Sequence, residues 1–219
     1  MARLARLLFW CGWLIVLAVS CQALNTNTPV PSVTPGTPPN WWTSWLAHPV
    51  CKPPCWENIT PGATTIDEAV SFLQYSPEFT NISNSKYGVS WVFRQNKNEG
   101  GTLGASQDGI VDVIWIGSVS DQKLLVKTIA TSYQYPKFVK PNDCREGMCE
   151  ALLIYPDLGM FLSIYVENTG TISMPQFEIL PDAGVDRVYF FKAGMESFEQ
   201  LSFQDYDLLM EWKGYGKYP

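Results

Sequence analysis

Four cysteines fall in two tight pairs, "CKPPC" at Cys51 to Cys55 and "CREGMC" at Cys144 to Cys149, and nothing else in the 219-residue chain limits its fold as much. Bridged within each pair they lock two sharp turns, bridged between pairs they staple distant segments, and unbridged they are open to a metal. The redox compartment decides among these outcomes. The first residues bear on it. Arg3 and Arg6 precede an apolar run from Leu7 to Val19, which closes on Ala18-Val19-Ser20-Cys21. A charged start, an apolar stretch and small residues at a cleavage point make residues 1–20 an export signal. The apolar run is shorter than the ~20 residues that cross a bilayer core.

An exported chain that keeps an even number of cysteines is expected to be disulfide-bonded, with three possible connectivities for four thiols. Pro53 and Pro54 in one spacer and Gly147 in the other favour Cys51 with Cys55 and Cys144 with Cys149. Each such short loop contributes about 2 kcal/mol through loop-closure entropy, against nearly ~5 kcal/mol for a bridge between the pairs. A zinc site of four thiolates is the competing arrangement. It is disfavoured by spacings that are not two-residue knuckles and by an oxidising address.

The residues Leu17-Ala18-Val19-Ser20-Cys21 resemble the bacterial lipoprotein signal, in which a small residue precedes a cysteine that is acylated after cleavage. Ala18 departs from that pattern, where leucine is more usual. The resemblance implies that Cys21 carries the lipid and becomes the first residue of the mature chain. Several acyl chains would hold it firmly, at about 0.8 kcal/mol per buried methylene. An ordinary signal peptide, and hence a secreted protein, is the alternative.

Residues 21–40 contain Pro29, Pro31, Pro35, Pro38 and Pro39 among threonines, with little to bury. Such a segment stays extended and solvated, a tether reaching about 50 Å at ~3.1 Å per residue. From Trp41 onward the chain has the makings of a globular core, its sequence as a whole being 46% apolar and 14% aromatic. Without Arg3 and Arg6 it carries thirteen basic against twenty-one acidic residues, a net of −8. That balance excludes nucleic acid as a partner class.

Two helix-then-sheet units are expected, over 41–119 and 120–219, so the fold class is α+β. Pro61-Gly62 marks a turn, Thr65 and Glu68 form a capping box, and Ile66, Ala69, Val70 and Leu73 make one helical stripe that should end near Tyr75 before Pro77. After a polar loop, "VSWVFRQ", "TLGAS" and "IVDVIWIG" read as strands, with a turn at Gln107-Asp108-Gly109. A second helix is expected over Asp121 to Thr131, with Leu125, Val126, Ile129 and Ala130 inward. "ALLIY", "MFLSIYVE", "QFEIL" and "VDRVYFF" follow as strands. "QYSPEF" at Gln74 to Phe79 recurs as "QYPKF" at Gln134 to Phe138, a faint internal repeat of about sixty residues.

"ITPGATTIDEAVSFL", with Ile59, Gly62, Thr64, Ala69, Val70 and Leu73, resembles the opening signature of the SmpA/OmlA outer-membrane assembly lipoproteins. The tandem order is similar to β-lactamase inhibitor protein. The first helix exit, Gln74-Tyr75-Ser76-Pro77, and a second unit without the Gly-x-Thr entry depart from these patterns. The resemblance implies helices packed on antiparallel sheet and a surface that holds protein partners.

Little in the chain points to catalysis. The one histidine, His48, has no nucleophile motif around it, and Asp108 with Asp112, Asp182 with Asp186, and Asp205 with Asp207 sit in or beside turns, where aspartate has backbone reasons to be. No calcium-loop spacing occurs, and neither metal nor cofactor is expected. The aromatics are more unusual. Trp41, Trp42 and Trp45 cluster where the tether meets the domain and form a candidate binding surface, with packing as a lid the competing reading. Trp91 and Trp115 are expected in the core. The chain is therefore expected to be a non-enzymatic, lipid-anchored protein on the extracytoplasmic face of the cell membrane. It would bind an envelope or secreted protein on the exposed face of its sheets. A cell-wall glycan-binding module or hydrolase, and a structural envelope component, are the alternatives.

Overall fold

The computed structural model describes residues 41–47, 49–85, 88–118, 123–201 and 208–219. The leader, Cys21, the tether, His48, Asp205 and Asp207 lie outside them. The chain is α+β, with helices α1 (Trp41–Ala47), α2 (Ile66–Tyr75), α3 (Val126–Ser132) and α4 (Met195–Gln200). The strands are β1 (Phe79–Ser85), β2 (Gly88–Phe93), β3 (Glu99–Ala105), β4 (Val111–Ser118), β5 (Leu124–Leu125) and β6 (Phe138–Arg145). They continue as β7 (Met148–Tyr155), β8 (Met160–Val166), β9 (Phe177–Ile179), β10 (Gly184–Phe191), β11 (Met210–Glu211) and β12 (Gly216–Tyr218).

Helix α2 forms as its capping box requires. The Glu68 N–H donates to Thr65 Oγ1 at 3.3 Å, while the Thr65 N–H donates to Glu68 Oε2 at 2.9 Å. These bonds hold the Glu68 carboxyl below its ordinary range. Ala69 and Leu73 are buried and Ile66 and Val70 half-buried, so the stripe packs as its spacing implies. The helix stops at Tyr75, and Ser76 donates back to the Phe72 carbonyl. Helix α3 starts later than the sequence suggests. Leu124 and Leu125 are drawn off as β5, paired with the start of β10, and only Val126 and Ile129 are fully buried.

Ten strands form one antiparallel sheet in the order β1-β2-β3-β4-β10-β8-β7-β6-β11, with β5 beside β10. The segment before Val89, read as a polar loop, supplies the edge strand β1. It escapes the hydrophobic pattern because only Phe79 is fully buried, Ile82 packs part-way against the core, and the register with β2 shifts between Thr80 and Ser83. "QFEIL" yields β9, which leaves the main sheet and pairs with β12 instead. The C-terminal stretch is held by β11 on β6, by β12, and by Tyr218, whose hydroxyl donates to the Gly214 carbonyl at 2.7 Å.

The main core lies between the sheet and α1–α3, and takes in Trp45, Leu73, Trp91, Ile114, Ile129, Leu153, Leu162 and Phe190. A second, smaller core lies on the opposite face, where Phe198 of α4 joins Leu152, Ile154, Phe161 and Phe191. Strands β7 and β8 are thus buried on both faces, which is why they read as continuous apolar runs. Both expected bridges are present, Cys51 to Cys55 and Cys144 to Cys149; the second pair sits directly opposite across the β6–β7 hairpin, whose turn contains Gly147 at φ +79°.

Candidate binding face

Alternation along β4 sends Ile114 and Ile116 toward the helices and Trp115 and Gly117 to the other face. Trp115 is therefore not in the core as its apolar surroundings suggest, but half-buried on the outer surface. The sheet aligns two cross-strand rows there. One contains Ser90, Thr102, Trp115 and Tyr189, and the next Val92, Gly100, Gly117 and Arg187.

The small outer core stops at this point. Phe161 stacks on Tyr189 with ring centroids 4.2 Å apart, and beyond Tyr189 the face opens into a trough of about 420 Å³. Gly100 and Gly117 make its floor, and Trp115 and Arg187 stand beside them. The Arg187 guanidinium lies 5.6 Å from the Trp115 ring centroid, its Nε is 3.4 Å from Asp186 Oδ2, and its Nη1 donates to the Tyr189 hydroxyl at 3.5 Å. Burial pushes the Tyr189 phenol up, and the neighbouring guanidinium pulls it partly back. Asn81, held at φ +52° by the irregularity in β1, and Asn98 border the opening.

The tryptophans at the start of the domain are placed differently. In α1, Trp41 and Trp45 are one turn apart and stack at 5.6 Å, and this turns Trp45 onto Phe190 and Tyr133 in the main core, 4% exposed. Trp45 is a core residue and not part of a stacking surface. Trp41 and Trp42 are half-buried against the same core, with Trp41 parallel to Phe93. A small cavity of about 60 Å³ opens beside Trp41, Trp56 and Phe93 and is bordered by Glu57, Glu78 and Glu99. Burial, and then the charge of Glu78, push the Glu57 carboxyl up. A wider groove of about 630 Å³ borders β9 and β12, between Tyr165, Leu180 and Lys217.

The carboxylate pairs do not form a shared site. Asp108 and Asp112 are exposed at the β3–β4 turn, and Asp186 is engaged by Arg187 while Asp182 is exposed. Among the described residues no group of three or more His, Cys, Asp or Glu side chains could hold a metal ion. No helix among them is long and apolar enough to cross a membrane.

Thr102, Ser90, Trp115 and Arg187 were not singled out by sequence reasoning as a site. The signal was available in part: in "VIWIG" the isoleucines occupy one face, which leaves a tryptophan next but one to a glycine on the other.

No family model matches the chain, and no curated protein matches it. Among solved structures it is similar to a DUF4309 family protein (YjgB) from Bacillus subtilis, with 10% identity, 63% of this chain and 84% of that chain covered, and a TM-score of 0.40. A likeness at that score carries no argument about function.

Proposed function

We propose that this chain is a lipid-anchored binding module of the extracytoplasmic membrane face, which holds an envelope or secreted partner against the open part of its sheet without catalysing a reaction on it. The observation that carries the reading is the trough over Gly100 and Gly117, where the sheet surface that is covered over β7 and β8 is left open beside an aromatic ring. Paired disulfides support the extracytoplasmic address, since they persist where thiols are oxidised. The lipoprotein-type residues ending at Cys21 support the anchor, and the proline-rich tether would give the domain reach from it.

We also read the fold as two helix-then-meander units joined at their last strands. The strand order supports this: β1-β2-β3-β4 follows α2, β6-β7-β8-β10 follows α3, and β4 pairs with β10. This is the tandem order seen in the resemblance to β-lactamase inhibitor protein.

The test is a photoreactive side chain in place of Thr102, in cells, compared with one in place of the exposed Asp67 on α2. A discrete adduct from position 102 alone, on a protein whose Cys21 is acylated by intact mass, is the expected result. No adduct from position 102, or an unmodified Cys21 in a soluble cytoplasmic chain, overturns the proposal.

A further inference from the structure

The trough has a chemistry of its own, and we infer that it binds a carbohydrate chain, with a pyranose ring laid on Trp115. This rests on the reading of the open sheet face as the binding face and names what occupies it.

The first observation is Gly117. Its backbone is not in the left-handed region, and a Cβ built there would meet only Arg187 Cγ at 3.4 Å, Trp115 Cζ3 at 3.6 Å and the Asp186 carbonyl at 3.7 Å, all ordinary contacts. Gly100 is different, because a Cβ there would collide with the Trp91 carbonyl oxygen. The fold thus requires one glycine and not the other. A glycine in a strand interior weakens the strand, and at position 117 no close backbone approach explains it. What it does is let the Trp115 indole and the Arg187 side chain lie low over β4, where a larger side chain would meet both.

The second observation is the composition of the walls. On the open face Trp115 and Val92 are apolar, and Ser90, Thr102, Asn81 and Asn98, which both donate and accept hydrogen bonds, line the rest of the trough. Among the described residues Asp186 and Arg187 are the ionised groups that line the trough, and they pair with each other, so their charges cancel there within a chain whose net charge is −6. An uncharged ligand rich in hydroxyls matches that balance. A charged ligand does not.

A protein anchor fits less well. Protein-binding hot spots are desolvated apolar pockets ringed by polar groups, whereas here one indole stands at the end of a shallow face that runs on through Thr102 and Ser90 to Asn81 and Asn98. A pyranose with equatorial substituents presents a flat C–H face for the indole and hydroxyls for Thr102 beside it, and further sugars of the chain would lie along the face toward Ser90, Asn81 and Asn98. The shape and the hydrogen-bonding capacity of the trough suit that ligand.

The experiment uses the full chain in detergent micelles, titrated calorimetrically with chitotetraose and cellotetraose. Binding of at least one of them is expected, weakened about tenfold or more by Trp115→Ala and by Gly117→Leu, which fills the trough from its floor. Tyr75→Ala, on the far side of the domain, should leave binding unchanged. Each variant is first checked for a native circular-dichroism melt, and Gly117→Ala serves where leucine is not accepted. No binding of either saccharide up to about 10 mM, or binding indifferent to both trough variants, overturns the inference. The photo-adduct from position 102 separates the two failures. A polypeptide adduct overturns the carbohydrate and leaves the binding face standing, whereas no adduct removes both.

Discussion

The outer surface of the sheet has two halves that share one strand framework and differ in what covers them. Over β7 and β8, Phe198 of α4 closes on Leu152, Ile154 and Phe161, and the strands are apolar on both sides. Over β2, β3 and β4 the same surface carries serine, threonine, glycine and a half-buried tryptophan. The first half is a core and the second is a platform. The platform is anchored through its inner face, where α2 packs on β1 and β2, so its outer residues need not be chosen for packing and can be kept for recognition.

The contrast is broken most directly by truncating a large side chain on each half. Phe161→Ala should cost about 3–5 kcal/mol in urea unfolding, because it empties a site between Tyr189 and Phe198. A cost below about 1 kcal/mol would mean that the covered half is not a second core. The bridge of the covered half comes next. Replacing Cys144 and Cys149 together by alanine should cost about 2 kcal/mol, and reductant, which also opens Cys51 to Cys55, should cost the parent chain at least as much.

Tyr133 sharpens the contrast from the inner face, where it packs against Trp45. Burial pushes its phenol up to about 12. A raised phenol contributes stability that is fully present below pH ~10, the unfolded value, and is lost as pH rises toward about 12. The loss is at most about 1.4 kcal/mol per pH unit, and less here because the hydroxyl is only half-buried. Thermal melts between these limits should therefore fall less steeply for Tyr133→Phe than for the parent; identical slopes would show that the phenol is not buried in solution. The smallest effect belongs to the platform: Thr102→Ala should change stability by no more than about 0.5 kcal/mol while weakening whatever binds there. A larger loss would make the open face structural.

Much of the local structure was legible. Thr65 and Glu68 announced the start of α2 and Pro77 its end, because capping and proline geometry act within a few residues. The close cysteine spacings announced their own pairing, since a five- or six-residue turn brings its ends together whatever surrounds it. Strand β1 was not legible, because an edge strand needs one buried residue and hydrogen bonds from a neighbour, neither of which leaves a periodic trace. Trp115 was misplaced for a related reason. Apolar alternation says that two faces differ, and in "IVDVIWIG" both faces look apolar, so nothing local says which one is covered.

The chain by itself determined the bounds of α2, the close cysteine bridges and the α+β class, which depend on residues near in sequence. Only the tertiary structure decided that β10 enters between β4 and β8, that Leu124 and Leu125 join the sheet ahead of α3, and that Ser90, Thr102, Trp115 and Arg187 share one open surface. Those outcomes depend on which distant strands meet, and that is settled by the burial of the whole sheet and not by any segment of it.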